Sequence, residues 1–145
     1  MNQSARYFFT AVLFWIVVDF TTAFNPNVQD WIRHMPLICA FYVGYPALFT
    51  TLIYRRGWTG RKLFTAMLCG TVVMELVLFH NVLLVTFPIM LIMIPLALAI
   101  YSFITYGPKW IAEGTLAAHR KQMILLTLIW LMVAVLSFKT RAGAG

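Results

Sequence analysis

The stretch that decides the fold is Leu63–Tyr106, LFTAMLCGTVVMELVLFHNVLLVTFPIMLIMIPLALAIYSFITY, in which Glu75, His80 and Asn81 stand alone among apolar and small residues. As one helix it would measure about 66 Å, roughly twice the hydrocarbon thickness of a bilayer. The chain must therefore turn back within it. The turn is expected between His80 and Pro88, where the only polar dipeptide is followed by a proline able to open a helix. Two membrane spans result, at residues 63–80 and 86–106, with Pro95 kinking the second. A re-entrant hairpin is the alternative.

Working outward, the same reading extends to the whole chain. Of 145 residues, 62% are hydrophobic and 10% charged, and the mean hydropathy is +0.85. So few charges cannot furnish the polar surface of a soluble domain. A first span at 7–24 ends at Asn25-Pro26-Asn27, a strong turn signal. Asp19 interrupts it and no small-x-small cleavage pattern follows, so it reads as a retained helix rather than a leader. Val28–His34, with Asp30, Trp31, Arg33 and His34, suits a short interfacial segment. A second span at 35–54 has Pro36 near its start and Gly44 and Pro46 to bend it. Gly107-Pro108 is expected to close the fourth span. Residues 109–122 look amphipathic and lead into a last span placed within 116–138, before a short mobile tail, Lys139–Gly145. The fold class is all-α, an integral membrane helical bundle of five transmembrane helices forming one domain over 1–145.

The eleven basic and four acidic residues give a net charge of +7. The cations flank apolar runs, where they meet lipid headgroups and set topology, so nucleic acid is not the expected partner. With the N-terminus in the cytoplasm, Arg6, Arg55, Arg56, Arg61, Lys62, Lys109, Arg120 and Lys121 fall inside. Arg33, Lys139 and Arg141 fall outside. This favours N-in and C-out, in a prokaryotic inner membrane, with Lys139 and Arg141 on the wrong side. The cluster Arg55, Arg56, Arg61 and Lys62 is expected to touch anionic headgroups. Cys39 and Cys69 lie in apolar runs without ligand spacing and read as buried thiols acting as small hydrophobes. Of the five tryptophans, most sit near span ends as interface anchors, while Trp15 and Trp130 lie deeper.

Ionisable groups inside a membrane are costly, so each is a site candidate. Glu75 and Asp19 lie at similar distances along their helices from Lys62 and Arg6, hence at similar depth in the outer half. Together with His34, His80 and Asn81 they are expected to converge on one polar site for a proton, metal or cofactor. Glu75 and His80 stand about 140° apart on a straight helix, so they share a small ligand only across a break or bulge. The plainer reading makes Asp19 and His80 water-contacting interface residues and Glu75 a protonated, hydrogen-bonded packing residue. His119, in Ala118-His119-Arg120-Lys121-Gln122-Met123, is a candidate haem ligand, although the topology sets it opposite His80.

Those features also carry a resemblance. His80 at the head of a long apolar run, the His119 segment, and Thr127 and Trp130 in the last span resemble small bacterial membrane proteins associated with haem-copper oxidase assembly. The Arg55–Lys62 loop is similar to basic loops in related small membrane proteins. The resemblance covers the C-terminal half, and additional histidines expected of such proteins are missing. It implies a role beside a respiratory complex, with His80 and His119 the positions of interest.

No nucleotide loop, Ser-His-Asp arrangement or paired-aspartate transferase pattern is present, and no enzyme activity is indicated. The leading expectation is a non-catalytic accessory or assembly subunit of a larger membrane complex, with other subunits or its own copies as partners besides the bilayer. The alternatives are a haem b- or quinone-binding electron-transfer protein, and an oligomeric small transporter or channel using Glu75.

Overall fold

The computed structural model describes residues 2–142, and within them every regular element is helical. Helix α1 is Gln3–Asp19, continued by a π-helical turn at Phe20–Phe24. Helix α2, Val28–Thr50, runs on as a π turn to Arg55, and α3, Gly60–Val72, as another at Val73–Leu78. A short 3₁₀ turn at Val82–Leu84 leads to α4, Met90–Glu113, and then α5, Arg120–Ala142. Four of these helices, Gln3–Phe24, Val28–Arg55, Met90–Glu113 and Arg120–Ala142, are long and apolar enough to cross a bilayer. The chain is an integral membrane helical bundle.

The fifth helix differs. Residues 60–78 would extend about 28 Å, but they carry Arg61, Lys62 and Glu75, and this segment is not among the four. The turn after it falls where the sequence placed it. Helix geometry ends at Leu78, His80 adopts a left-handed backbone with φ 51°, and α4 starts at Met90.

Local chemistry moved three boundaries from their expected positions. Helix α2 begins at Val28, not near Met35, because Asn27 caps it. The Asn27 side chain accepts from the Asp30 amide at 3.1 Å and donates back to the Asp30 carboxylate at 3.0 Å. Pro36 and Pro46 are both absorbed within the helix. Helix α4 passes through Gly107-Pro108 instead of ending there. It stops at Gly114, whose φ of 71° suits glycine, and its last turn is tied by the Lys109–Glu113 ion pair at 2.6 Å. Helix α5 then begins only at Arg120 and continues to Ala142, so residues 139–142 of the expected mobile tail are helical. Residues 143–145 lie outside those described.

Helix α1 is the centre of the bundle, packing most extensively on α4 and next on α2, while α3 joins through α4 and α5 through α4 and the π turn Phe20–Phe24. The core is aromatic. Tyr7, Trp15, Tyr42, Tyr45, Phe49, Tyr101 and Phe103 are buried in it. The Tyr45 hydroxyl and Thr105 Oγ1 are 2.9 Å apart in the interior, joining α2 to α4. Gly70 lets α3 approach α2: a Cβ there would sit 3.3 Å from the Tyr45 ring. Helix α5 buries no residue fully, and Trp130 holds it by stacking on Phe103 with centroids 5.5 Å apart. Between the helix ends the outward faces are largely apolar, with Phe9, Leu13, Leu37 and Ile92 among the most exposed. Cys39 and Cys69 also face outward rather than into the core.

Candidate functional site

A cleft of about 570 Å³ opens where the ends of α1 and α3 meet α4 and α5, and Asp19, Glu75, Asn81, Tyr101 and Arg141 line it. Its inner recess, about 60 Å³, is walled by Trp15, Asp19, Glu75 and Tyr101. The two half-buried carboxylates thus come from separate helices to one place.

Each carboxylate is held by donors from another part of the chain. Tyr42 donates to Asp19 Oδ2 at 2.6 Å. Trp31 Nε1 in turn donates to the Tyr42 hydroxyl at 2.9 Å. Eleven residues separate Trp31 from Tyr42, close to three helical turns, so both project from one face of α2. Glu75 accepts from Tyr101 at 3.0 Å through Oε1 and from Asn81 Nδ2 at 2.8 Å through Oε2. The left-handed backbone at His80 positions Asn81 for the second of these bonds. It reverses the chain so that the Asn81 amide N–H reaches the Glu75 carbonyl at 2.8 Å and its side chain reaches the carboxylate. Both acids therefore serve as hydrogen-bond acceptors, and nothing joins one to the other directly.

Helix terminations prepare this geometry. The π turns at 20–24 and 73–78 widen α1 and α3 beside the acids, a feature common at functional positions. Thr21 and Thr22 hydroxyls take up carbonyls of Val17 and Val18 in the wider turn, and Trp130 Nε1 donates to Thr21 Oγ1 at 3.0 Å. Arg141 closes one side. Its guanidinium donates to the carbonyls of Thr22 at 2.6 Å and Asn25 at 3.3 Å. This assigns a task to a cation that the charge pattern left on the wrong side.

Of the five residues expected to converge, Asp19, Glu75 and Asn81 do so, and His34 and His80 do not line the cleft. His34 is exposed, with Nδ1 2.8 Å from its own helix's Asp30 carbonyl and its ring against Phe24. The bulge needed for His80 to join Glu75 does exist, but the chain leaves the helix before His80 and the imidazole is exposed. His119 stacks flat on Trp110, with centroids 4.8 Å apart, beyond the C-terminal end of α4, whereas His80 precedes its start. A 24-residue helix, about 36 Å long, separates the two, which rules out their acting as paired axial ligands of one haem. Among the described residues no group of three His, Cys, Asp or Glu side chains could hold a metal ion. Arg55, Arg56, Arg61 and Lys62 all stand exposed at the α2–α3 turn.

Sequence reasoning missed Trp15, Tyr42, Tyr101 and Arg141 as partners of this site. The spacing of Trp31 and Tyr42 on one helical face was the only visible signal among them. Compared with known proteins, the chain matches no family model, no curated sequence and no solved structure.

Proposed function

We propose that this chain is a five-span membrane protein whose work is done at the Asp19–Glu75 cleft, taking up a proton or cation there as a small transporter or channel. The observation that carries the reading is the pairing of carboxylates from α1 and α3 in one cleft, each oriented by a tyrosine. Carboxylates held inside a membrane commonly mark proton and ion pathways. In this reading α3 crosses the bilayer with its basic end in the cytoplasmic headgroups, the N-terminus lies inside and the C-terminus outside. A prokaryotic inner membrane suits that orientation. The cleft occupies one half of the bundle, so a complete pathway requires association with further copies.

Proteoliposomes containing a trapped pH-sensitive dye test the proposal. Protein-dependent collapse of an imposed pH gradient is expected, with loss of most of it in Glu75→Gln. Equal rates for the variant and the parent, at equal incorporation, would refute it.

A second reading, an accessory or assembly subunit, draws support from the apolar outer surface and from α5, which buries no residue fully within the chain. Lipid would cover that surface equally well. Co-purification with larger subunits in fixed stoichiometry would favour it, and a stable preparation of this chain alone would count against it.

A further inference from the structure

The connection between α3 and α4 is unlike the two before it. The α1–α2 turn is Asn25-Pro26-Asn27, and the α2–α3 turn carries Arg56 and Thr59. Residues 79–89 hold no Asp, Glu, Lys or Arg, and Phe79, Val82, Leu83, Val85, Phe87 and Ile89 all stand exposed. Phe87, at 72%, is the most exposed large apolar side chain among the described residues, and it lies on no helix. An apolar patch of this kind is a site of contact rather than a water-facing loop.

Helix lengths set its depth. From Lys62, in the inner headgroups, to Leu78, where the helical run of α3 stops, the rise is about 24 Å. From Lys109 back to Met90, the first residue of α4, it is about 28 Å. The hydrocarbon core is about 30 Å thick, and tilt lowers both rises. The chain therefore leaves α3 and enters α4 without passing the outer edge of the core. At that edge the backbone still reaches interfacial water, which irregular backbone facing lipid at greater depth would lack. The segment also satisfies part of its own backbone. The Leu84 and Val85 amides donate to the Asn81 and Val82 carbonyls at 3.2 and 3.1 Å, and the Thr86 hydroxyl donates to Val82 at 2.8 Å.

The distribution of exposure identifies the occupant. Within 82–89 only Leu84 is buried, so exposed surface wraps the segment instead of forming one stripe that a partner helix could cover. That surface continues into Val77 and Leu78 on one side and Leu91 and Ile92 on the other. Fluid hydrocarbon covers such a surface without needing a matching shape.

We infer that residues 82–89 are a lipid anchor in the outer leaflet, with backbone at the boundary of headgroups and acyl chains and with Val82, Val85 and Phe87 inserted among the upper acyl segments. This rests on the five-span placement proposed above and is independent of the carboxylate reading. Asn81, which donates to Glu75 and lines the cleft, stands at the head of the anchor, so the leaflet fixes one wall of the site.

Single cysteines at Val85→Cys, Phe87→Cys and Gln29→Cys, each in a Cys39→Ser, Cys69→Ser background, carry an environment-sensitive fluorophore in phosphatidylcholine liposomes. Detergent melts verify that each variant is folded, and two positions in the segment report separately. A nitroxide near the headgroup end of the lipid acyl chains should quench the labels at Val85 and Phe87 strongly. A nitroxide near the terminal methyl should quench them weakly, and aqueous iodide hardly at all. The label at Gln29, exposed in the first turn of α2, should be quenched by iodide and far less by either nitroxide. Iodide quenching at Val85 and Phe87 equal to that at Gln29 would overturn the anchor and leave the five-span placement standing. Strongest quenching by the deep nitroxide would set the connection in mid-membrane and overturn both. Protection from iodide and from both nitroxides would mean a cover made of protein, a second copy of this chain, and would overturn lipid as the occupant.

Discussion

Replacing Arg141 by Met should loosen the outer end of the bundle, since its guanidinium ties α5 to the carbonyls that close α1. The bond to Thr22 is short, at 2.6 Å, and that to Asn25 is long, at 3.3 Å. A charged donor to a carbonyl contributes about 1.5–3 kcal/mol in soluble proteins, but polar pairs in membrane proteins average about 0.6 kcal/mol. One strong and one weak bond in a half-buried setting should therefore sum to about 1–2 kcal/mol. At about 2–4 °C per kcal/mol for a chain near this size, Tm in mild detergent should fall by about 2–8 °C. Arg141→Lys keeps the charge but loses the fork that spans two carbonyls, so it should lie between. Circular dichroism gives the Tm, and trypsin cleavage after Lys139 gives a local readout, since a docked α5 resists it. A Tm within one degree of the parent for Arg141→Met, with equally slow cleavage, would refute the docking of this end.

Three further outcomes follow from packing and placement. Tyr45→Phe and Thr105→Val should each lower stability by about 1 kcal/mol, with the double variant less than additive, because both remove one buried hydrogen bond; additive losses in thermal melts would deny the pair. His80→Gly should be neutral or stabilising and His80→Val destabilising by about 1 kcal/mol or more, since glycine alone adopts this left-handed backbone without strain; the same melts decide it, and an unharmed valine variant would contradict the turn. The purified protein supplied with haem b should show no bis-histidine Soret spectrum, because α4 separates His80 from His119; a Soret band lost in both His80→Ala and His119→Ala would overturn this.

Much of the bundle was legible because a bilayer imposes few solutions on apolar sequence. The length of Leu63–Tyr106 demanded a reversal, and the polar dipeptide His80-Asn81 marked where it falls. Two of the three boundaries that moved share one physical cause: polar and imino residues were read as breaks where side chains repaired the helix. Asn27 and Asp30 satisfied each other across the first turn of α2 and carried it back to Val28. Pro108 was tolerated because Gly107 brings α4 close to Phe14 and the ion pair Lys109–Glu113 continues the turn beyond it.

The candidate site was legible only in part. Depth along a helix follows from counting residues, and it placed Asp19 and Glu75 together. Direction around the helix does not follow once π turns alter the pitch, as they do beside both acids, and His34 and His80 went elsewhere. Tyr101 had no distinguishing signal and Tyr42 only its helical spacing from Trp31, since tyrosine is as much at home in an apolar core as at a site. Arg141 was placed by charge counting on the outer side, in a mobile tail, whereas its contacts are with backbone more than a hundred residues away.

The most direct test of the central claim compares proton flux in liposomes for Asp19→Asn, Glu75→Gln and the double variant, at matched incorporation and with detergent melts to confirm folding. If the two acids serve one site, each single change should remove most of the flux, and the double should be no worse than the more severe single. Parent-like flux in either single variant, or losses that multiply as they would at two independent sites, would contradict it.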